Sequence, residues 1–111
     1  MNTNLPIIKE IVDLIVPLVE PDKIILFGSY ARGEATEKSD IDIMVLKKGM
    51  GIENEGKTVD KIYYSYLDSD IDISIDVLAM DYDRYLELND VIGYVYKQIE
   101  KDGKVIYEVL H

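Results

Sequence analysis

The chain has 111 residues, no cysteine, and 22 acidic side chains against 12 basic ones, for a formal net charge of −10. That length leads to the expectation of one domain over residues 1–111 with a modest core, and the lack of thiols excludes disulfides and thiolate metal sites. The charge sets the chain against long DNA or RNA as a partner, because their phosphates call for Lys and Arg.

In chain order, residues 5–20 carry Ile7, Ile8, Ile11, Leu14, Ile15 and Leu18 at helical spacing, so a helix with one buried stripe is expected. Pro17 weakens its last turn and Pro21 ends it. Residues 23–28 (KIILFG) read as a short buried strand closed by Gly28, and the polar SYARGEATEKS after it as a turn plus short helix, with Gly33 a turn glycine. Residues 40–46 (DIDIMVL) alternate, with Ile41, Ile43 and Val45 on one face and Asp40, Asp42 and Met44 on the other. KKGMGIENEGK reads as a loop broken by Gly49, Gly51 and Gly56, and residues 57–67 as a helix with Val59, Ile62, Tyr63 and Tyr66 inward. A second alternating strand is expected at 70–78, with Asp70, Asp72, Ser74 and Asp76 on one face. Residues 81–101 are helical in pattern with a break near Asn89, Asp102-Gly103 makes a turn, and KVIYEVL forms a last strand. No apolar run reaches the ~20 residues of a membrane-spanning helix, and no signal peptide opens the chain. A cytoplasmic protein with no membrane partner is expected.

The chemistry concentrates in carboxylates, because His111, the one histidine, is the last residue. Asp40 and Asp42 lie two residues apart on an expected strand, so they share a face about 7 Å apart at Cα. Paired carboxylates are costly unless a cation neutralises them. The acidic face of 70–78 repeats the pattern, and two such strands side by side would repel. Two metal ions about 4 Å apart, held by three carboxylates, would resolve this, which is the arrangement for in-line phosphoryl displacement. The oxygen donors suit Mg²⁺. Strand parity leaves Asp70, Asp72 and Asp76 all open as the third carboxylate. Gly28-Ser29, between a strand and a short helix, can cradle phosphate oxygens through backbone N–H groups and the Ser29 hydroxyl. Arg32 can fork onto a phosphate or pair with Glu34 or Glu37 to hold the loop, and Ser39 can orient the carboxylates beside it.

Gly28-Ser29, ten residues, then Asp40-Ile41-Asp42 resembles the signature of the minimal nucleotidyltransferases of the DNA polymerase β-like superfamily. LFGSYARGEATEKSDIDIMV is similar to that family almost throughout, and DVLAMDYDRYLELNDVIGYVYKQIEKDGKVIYE resembles its closing helices and terminal strand. The resemblance implies an α+β fold like a polymerase β palm, with helices packed on a short mixed sheet. It implies Asp40 and Asp42 as Mg²⁺ ligands and Gly28 and Ser29 as phosphate holders. It implies Asp76 as the third carboxylate, because the family's third Asp precedes the apolar end of its strand, as in Ile75-Asp76-Val77-Leu78. The reaction implied is transfer of AMP from ATP with loss of pyrophosphate, driven by positioning and charge neutralisation.

For the acceptor, the antitoxin branch of this family implies a tyrosine on a HEPN-domain ribonuclease toxin, and the acidic charge suits a basic partner. The alternatives are a small-molecule transferase of the aminoglycoside type, for which the expected single domain leaves no acceptor domain, and a non-catalytic module binding a nucleotide or a partner. The intact Gly-Ser and D-x-D favour catalysis. Nine tyrosines beside one Phe and no Trp fit either rings packed inward with wet hydroxyls or a protein interface.

Overall fold

The computed structural model describes residues 5–91, 99 and 101–110. Helix α1 (Leu5–Val19) buries Ile8, Ile11 and Ile15, with Ile7, Leu14 and Leu18 packed partly against the same core. Pro17 sits inside this last turn, and the chain leaves the helix through Glu20 at φ 53°. Lys47 donates its ammonium to the carbonyls of Val19 (2.8 Å) and Glu20 (3.3 Å), meeting helix-end acceptors that would otherwise lack a donor.

Strands β1 (Lys23–Phe27), β2 (Ile41–Lys47), β3 (Ile75–Asp81) and β4 (Lys104–Glu108) form one mixed sheet in the order β3-β2-β1-β4. β1 runs antiparallel to both β2 and β4, and β2 runs parallel to β3. Between β1 and β2 lies the short helix α2 (Gly28–Arg32), and between β2 and β3 lies α3 (Glu55–Leu67) behind a single 3-10 turn at Ile52–Asn54. Because strand side chains alternate, the sheet has two cores. Ile24, Leu26, Ile41, Ile43, Val45, Ile75, Val77 and Ala79 meet α1 and α3 on one face. Ile25, Met44, Leu46 and Met80 meet Tyr85 of α4 (Tyr82–Val91), together with Ile99, on the other. The expected α+β architecture with a short mixed sheet is the observed one.

Several boundaries differ from the sequence reading, among them the last strand, expected over 104–110, which ends at Glu108. The strand expected at 70–78 is β3 at 75–81. Its pairing is set by β2, whose first paired residue, Ile41, lies opposite Ile75 and donates its N–H to the Ser74 carbonyl (2.9 Å), so residues 70–73 lie ahead of the ladder. The ladder instead runs on to Lys47 opposite Asp81, the residue at which the expected helical pattern begins. Gly56, expected as a loop breaker, lies inside α3, while Gly49 and Gly51 hold positive φ in the preceding turn. The helix expected over 81–101 is α4 from Tyr82 to Val91, and it runs unbroken through Asn89, where a break was expected; residues 92–98 lie outside the described residues. Asp40 precedes β2 rather than opening it.

Candidate nucleotidyl-transfer site

The turn from β1 into α2 is built on Gly28. Its φ is 73°, in the left-handed region that favours glycine. A Cβ there would also overlap Oδ2 of Asp42, so the carboxylate lies directly against the main chain of the turn. α2 then closes on Gly33, also at φ 73°, whose N–H and that of Glu34 return to the carbonyls of Tyr30 (3.3 Å) and Ser29 (2.9 Å). This short helix holds Ser29 beside the end of β1, where it is half-buried.

Strand register does the rest. Phe27 is opposite Asp42 in the β1–β2 ladder, and Asp42 is opposite Asp76 in the β2–β3 ladder. The three residues therefore form one rung across the sheet, with Gly28 following Phe27 at its end. Neighbouring strands lie about 4.8 Å apart, so the Asp42 and Asp76 carboxylates rise side by side. Alternation puts both on the face shared by Met44, Leu46 and Met80, at the end of the sheet that the second core leaves open. Asp40 is exposed one residue before β2. Asp70 and Asp72 lie in the irregular segment ahead of β3, so the parity that joined them to Asp76 does not apply.

The electrostatics follow from this crowding. Burial, and then the charges of Asp76 and Asp40, push the Asp42 carboxyl above its ordinary value, while Arg32 pulls it the other way. Arg32 is also paired with Glu34, Nε to Oε1 at 3.2 Å, on an exposed surface. It is thus both a loop tie and a positive charge felt at the carboxylates. Ser39 turns towards Thr36, its Oγ accepting the Thr36 N–H at 2.8 Å, so it shapes the loop leading into Asp40. Among the described residues no three acidic or imidazole side chains are drawn together tightly enough to enclose an ion. Of the expected triad, Asp42 and Asp76 share an open rung and Asp40 lies just ahead of it, with no closed cage among the described residues.

The donor set still fits a divalent cation. All the candidate ligands are hard carboxylate oxygens, burial and then the Asp76 and Asp40 charges hold the Asp42 carboxyl above its ordinary value, and the missing side chain of Gly28 lets that carboxylate lie against the backbone of the turn. The wider clefts elsewhere, about 430 Å³ between α1 and the end of α3 and about 460 Å³ between α1 and β4, contain none of these residues.

Sequence reasoning missed two supports. Tyr63 reaches the backbone on either side of Asp76, donating to the Ile75 carbonyl (3.2 Å) and accepting the Val77 N–H (3.0 Å). At the far end of β3, Glu55 holds Arg84 through two bonds of 2.7 and 2.8 Å and accepts the Asp81 N–H (3.0 Å). The tyrosine-rich composition was the one sequence signal for the first, and the expectation of wet hydroxyls fails for Tyr63 and Tyr66, which bond to main chain.

A family model described as Polymerase beta, Nucleotidyltransferase matches residues 9–109. Among curated relatives, a protein of Methanocaldococcus jannaschii provisionally named a protein adenylyltransferase is 47% identical over 45 residues, 40% of this chain and 46% of that protein. A second from the same organism, with the same provisional name, is 75% identical over 24 residues, 22% of this chain and 24% of its own length. These matches span less than half the length of the relatives. A crystal structure of a provisionally named nucleotidyltransferase from Sulfolobus solfataricus shares the fold, with a TM-score of 0.64 over 94% of this chain and 79% of that one at 23% identity. A toxin–antitoxin crystal structure with AMP-PNP aligns at a TM-score of 0.53 over 96% of this chain and 74% of that one, at 26% identity.

Proposed function

Because the chain belongs to the polymerase β-type nucleotidyltransferase family, we propose that it transfers AMP from ATP to a hydroxyl of a partner protein, using Asp40, Asp42 and Asp76 with Mg²⁺. The observation that carries this reading is the rung in which Asp42 faces Asp76 beside the side-chain-free turn at Gly28. A phosphate at that turn meets main-chain N–H groups and the Ser29 hydroxyl. Arg32 adds positive charge on the same side.

Asp40 and Asp42, with Asp76, would hold the cation. Mg²⁺ supplies charge neutralisation for the triphosphate and the pyrophosphate it loses. The acceptor oxygen forms a bond to the α-phosphorus as the bond to the pyrophosphate oxygen breaks. Asp76 takes the acceptor proton, and pyrophosphate leaves with the bonding electrons. The β-strands hold the two carboxylates rigidly, which this positioning chemistry requires.

For the acceptor, the provisional names of the archaeal relatives support a protein. The likeness to a toxin–antitoxin structure bearing AMP-PNP supports a toxin as that protein, and the charge of −10 favours a basic surface. We take a tyrosine of a HEPN ribonuclease as the target, with the chain acting as antitoxin in the cytoplasm and residues 1–111 working as one domain. Co-expression of such a partner with the wild-type chain should raise the partner's mass by one or more AMP units, roughly 329 Da each by the chemistry of transfer. Asp40→Asn should leave it unmodified. A partner inhibited equally by both without any mass change would reject transfer in favour of binding alone.

A further inference from the structure

β3 is an edge strand, and what completes its outer side is a helix. Edge strands expose alternate N–H and C=O groups that need partners. Along β3 and the segment leading into it, α3 provides them from one face. The Tyr66 hydroxyl donates to the Ile73 carbonyl at 2.9 Å. The Tyr63 hydroxyl donates to the Ile75 carbonyl and accepts the Val77 N–H. Glu55 accepts the Asp81 N–H. Positions 55, 63 and 66 recur at helical spacing, so one stripe of side chains stands in for a fifth strand.

Tyr63 differs from the others in grasping two backbone groups, and those two groups flank Asp76. Asp76 is the second residue of β3, and ahead of Ile75 the described ladder to β2 ends with the Ser74 carbonyl, which accepts the Ile41 N–H at 2.9 Å. Strand ends are where a ladder opens most readily. The carboxylates of Asp42 and Asp76 face each other across the same rung, so their repulsion acts to part β3 from β2 at this point. Tyr63 sits on the opposite side of the strand and holds the backbone at residues 75 and 77. Its ring is fixed by the perpendicular ring of Tyr66, centroids 6.4 Å apart.

Resting on the transfer reading above, we propose that Tyr63 is a positioning residue that keeps Asp76 at metal-sharing distance from Asp42. It touches neither substrate nor ion, and acts through the Ile75–Val77 backbone.

The test is Tyr63→Phe, which keeps the ring and its packing and removes both hydrogen bonds, compared with Tyr66→Phe, which removes one hydroxyl from the same helix face. Circular dichroism checks that each variant is folded. Mn²⁺ affinity is measured by electron paramagnetic resonance, amide exchange at Val77 by NMR, and kcat and KM for ATP with the full chain. In Tyr63→Phe, Val77 exchange should quicken, Mn²⁺ affinity should fall about tenfold, as for losses behind a metal ligand, and kcat should fall with KM nearly unchanged. Tyr66→Phe should keep wild-type Mn²⁺ affinity. Quickened Val77 exchange with unchanged Mn²⁺ affinity and kcat would make Tyr63 a purely structural residue and overturn the proposal. Equal loss in both variants would also overturn it, by tracing the effect to general loosening of α3. Wild-type protein that binds no Mn²⁺ would instead refute the metal-dependent reading on which the proposal rests, and the proposal with it.

Discussion

At the scale of single residues, the site is organised by repulsion. Asp42 carries the sharpest conflict, because burial and its acidic neighbours raise its carboxyl above the ordinary value. A carboxyl raised on folding makes the folded state less stable wherever it is ionised, and the penalty is relieved as pH falls through the raised value. Asp42→Asn should therefore abolish transfer and raise the metal-free melting temperature at pH 7, and calorimetry in EDTA checks the second part. An unchanged or lowered melting temperature would contradict the charge assignment. Gly28 works the other way. Alanine there must adopt a left-handed backbone, costing roughly 1–2 kcal/mol, and its Cβ would displace the Asp42 carboxylate. Gly28→Ala should lower the melting temperature by about 4–8 °C per kcal/mol lost and remove activity. A variant as active as wild type would show that the close approach of turn and carboxylate is not needed.

At the scale of elements, α3 is the piece that ties the rest to β3. Its Tyr63 hydroxyl holds the end nearest the site, and its Glu55 holds the other end through Arg84 and the Asp81 N–H. Asp81 in turn caps α4, its Oδ1 accepting the N–H groups of Asp83 (3.0 Å) and Arg84 (3.3 Å), while its Oδ2 accepts the Gly51 N–H at 2.8 Å. The Arg84 bond holds the Glu55 carboxyl below its ordinary 4.5, and the Gly51 bond leads those holding Asp81 below 3.8. Carboxyls lowered on folding contribute fully above their unfolded values and lose that contribution as pH falls through the lowered ones. The contribution of these two carboxyls should thus hold from neutral pH down towards about 4.5, the ordinary Glu value, and be lost below it. Glu55→Gln should melt lower than wild type at pH 7, with the gap closing towards pH 3. A gap constant with pH would mean that the Glu55 charge does not matter. How far the elements could be read from sequence depended on their neighbours. The stripe of α1 was legible because its period is local. The start of β3 was not, because Ile71 and Ile73 continue the alternation of Ile75 and Val77 although no strand lies beside them.

At the scale of the whole molecule, the charge of −10 and the carboxylate rung act in one direction. A tetra-anionic nucleotide entering this field is repelled until a cation intervenes. ATP affinity measured by calorimetry should be weak in EDTA and strengthen with Mg²⁺. Equal affinity in both would reject a metal-bridged site. No helix among the described residues is long and apolar enough to cross a membrane.

The sequence by itself determined the local periods, and with them the helices, the strands and the spacing that sets Gly28-Ser29 ten residues ahead of Asp40-Ile41-Asp42. These are properties of a residue and its near neighbours, so a single chain displays them. Asp76 was indistinguishable from Asp70 and Asp72 by alternation alone, since parity is identical at all three. The family resemblance singled out Asp76, and the tertiary structure set the three apart in position, because register is a relation between strands far apart in the chain: Ile41 opposite Ile75 puts Asp42 opposite Asp76 and leaves the other two outside the ladder. The contact of Tyr63 with the Asp76 backbone belongs to the same class. It depends on a helix docking against a strand edge, a distance in space that no spacing along the sequence encodes.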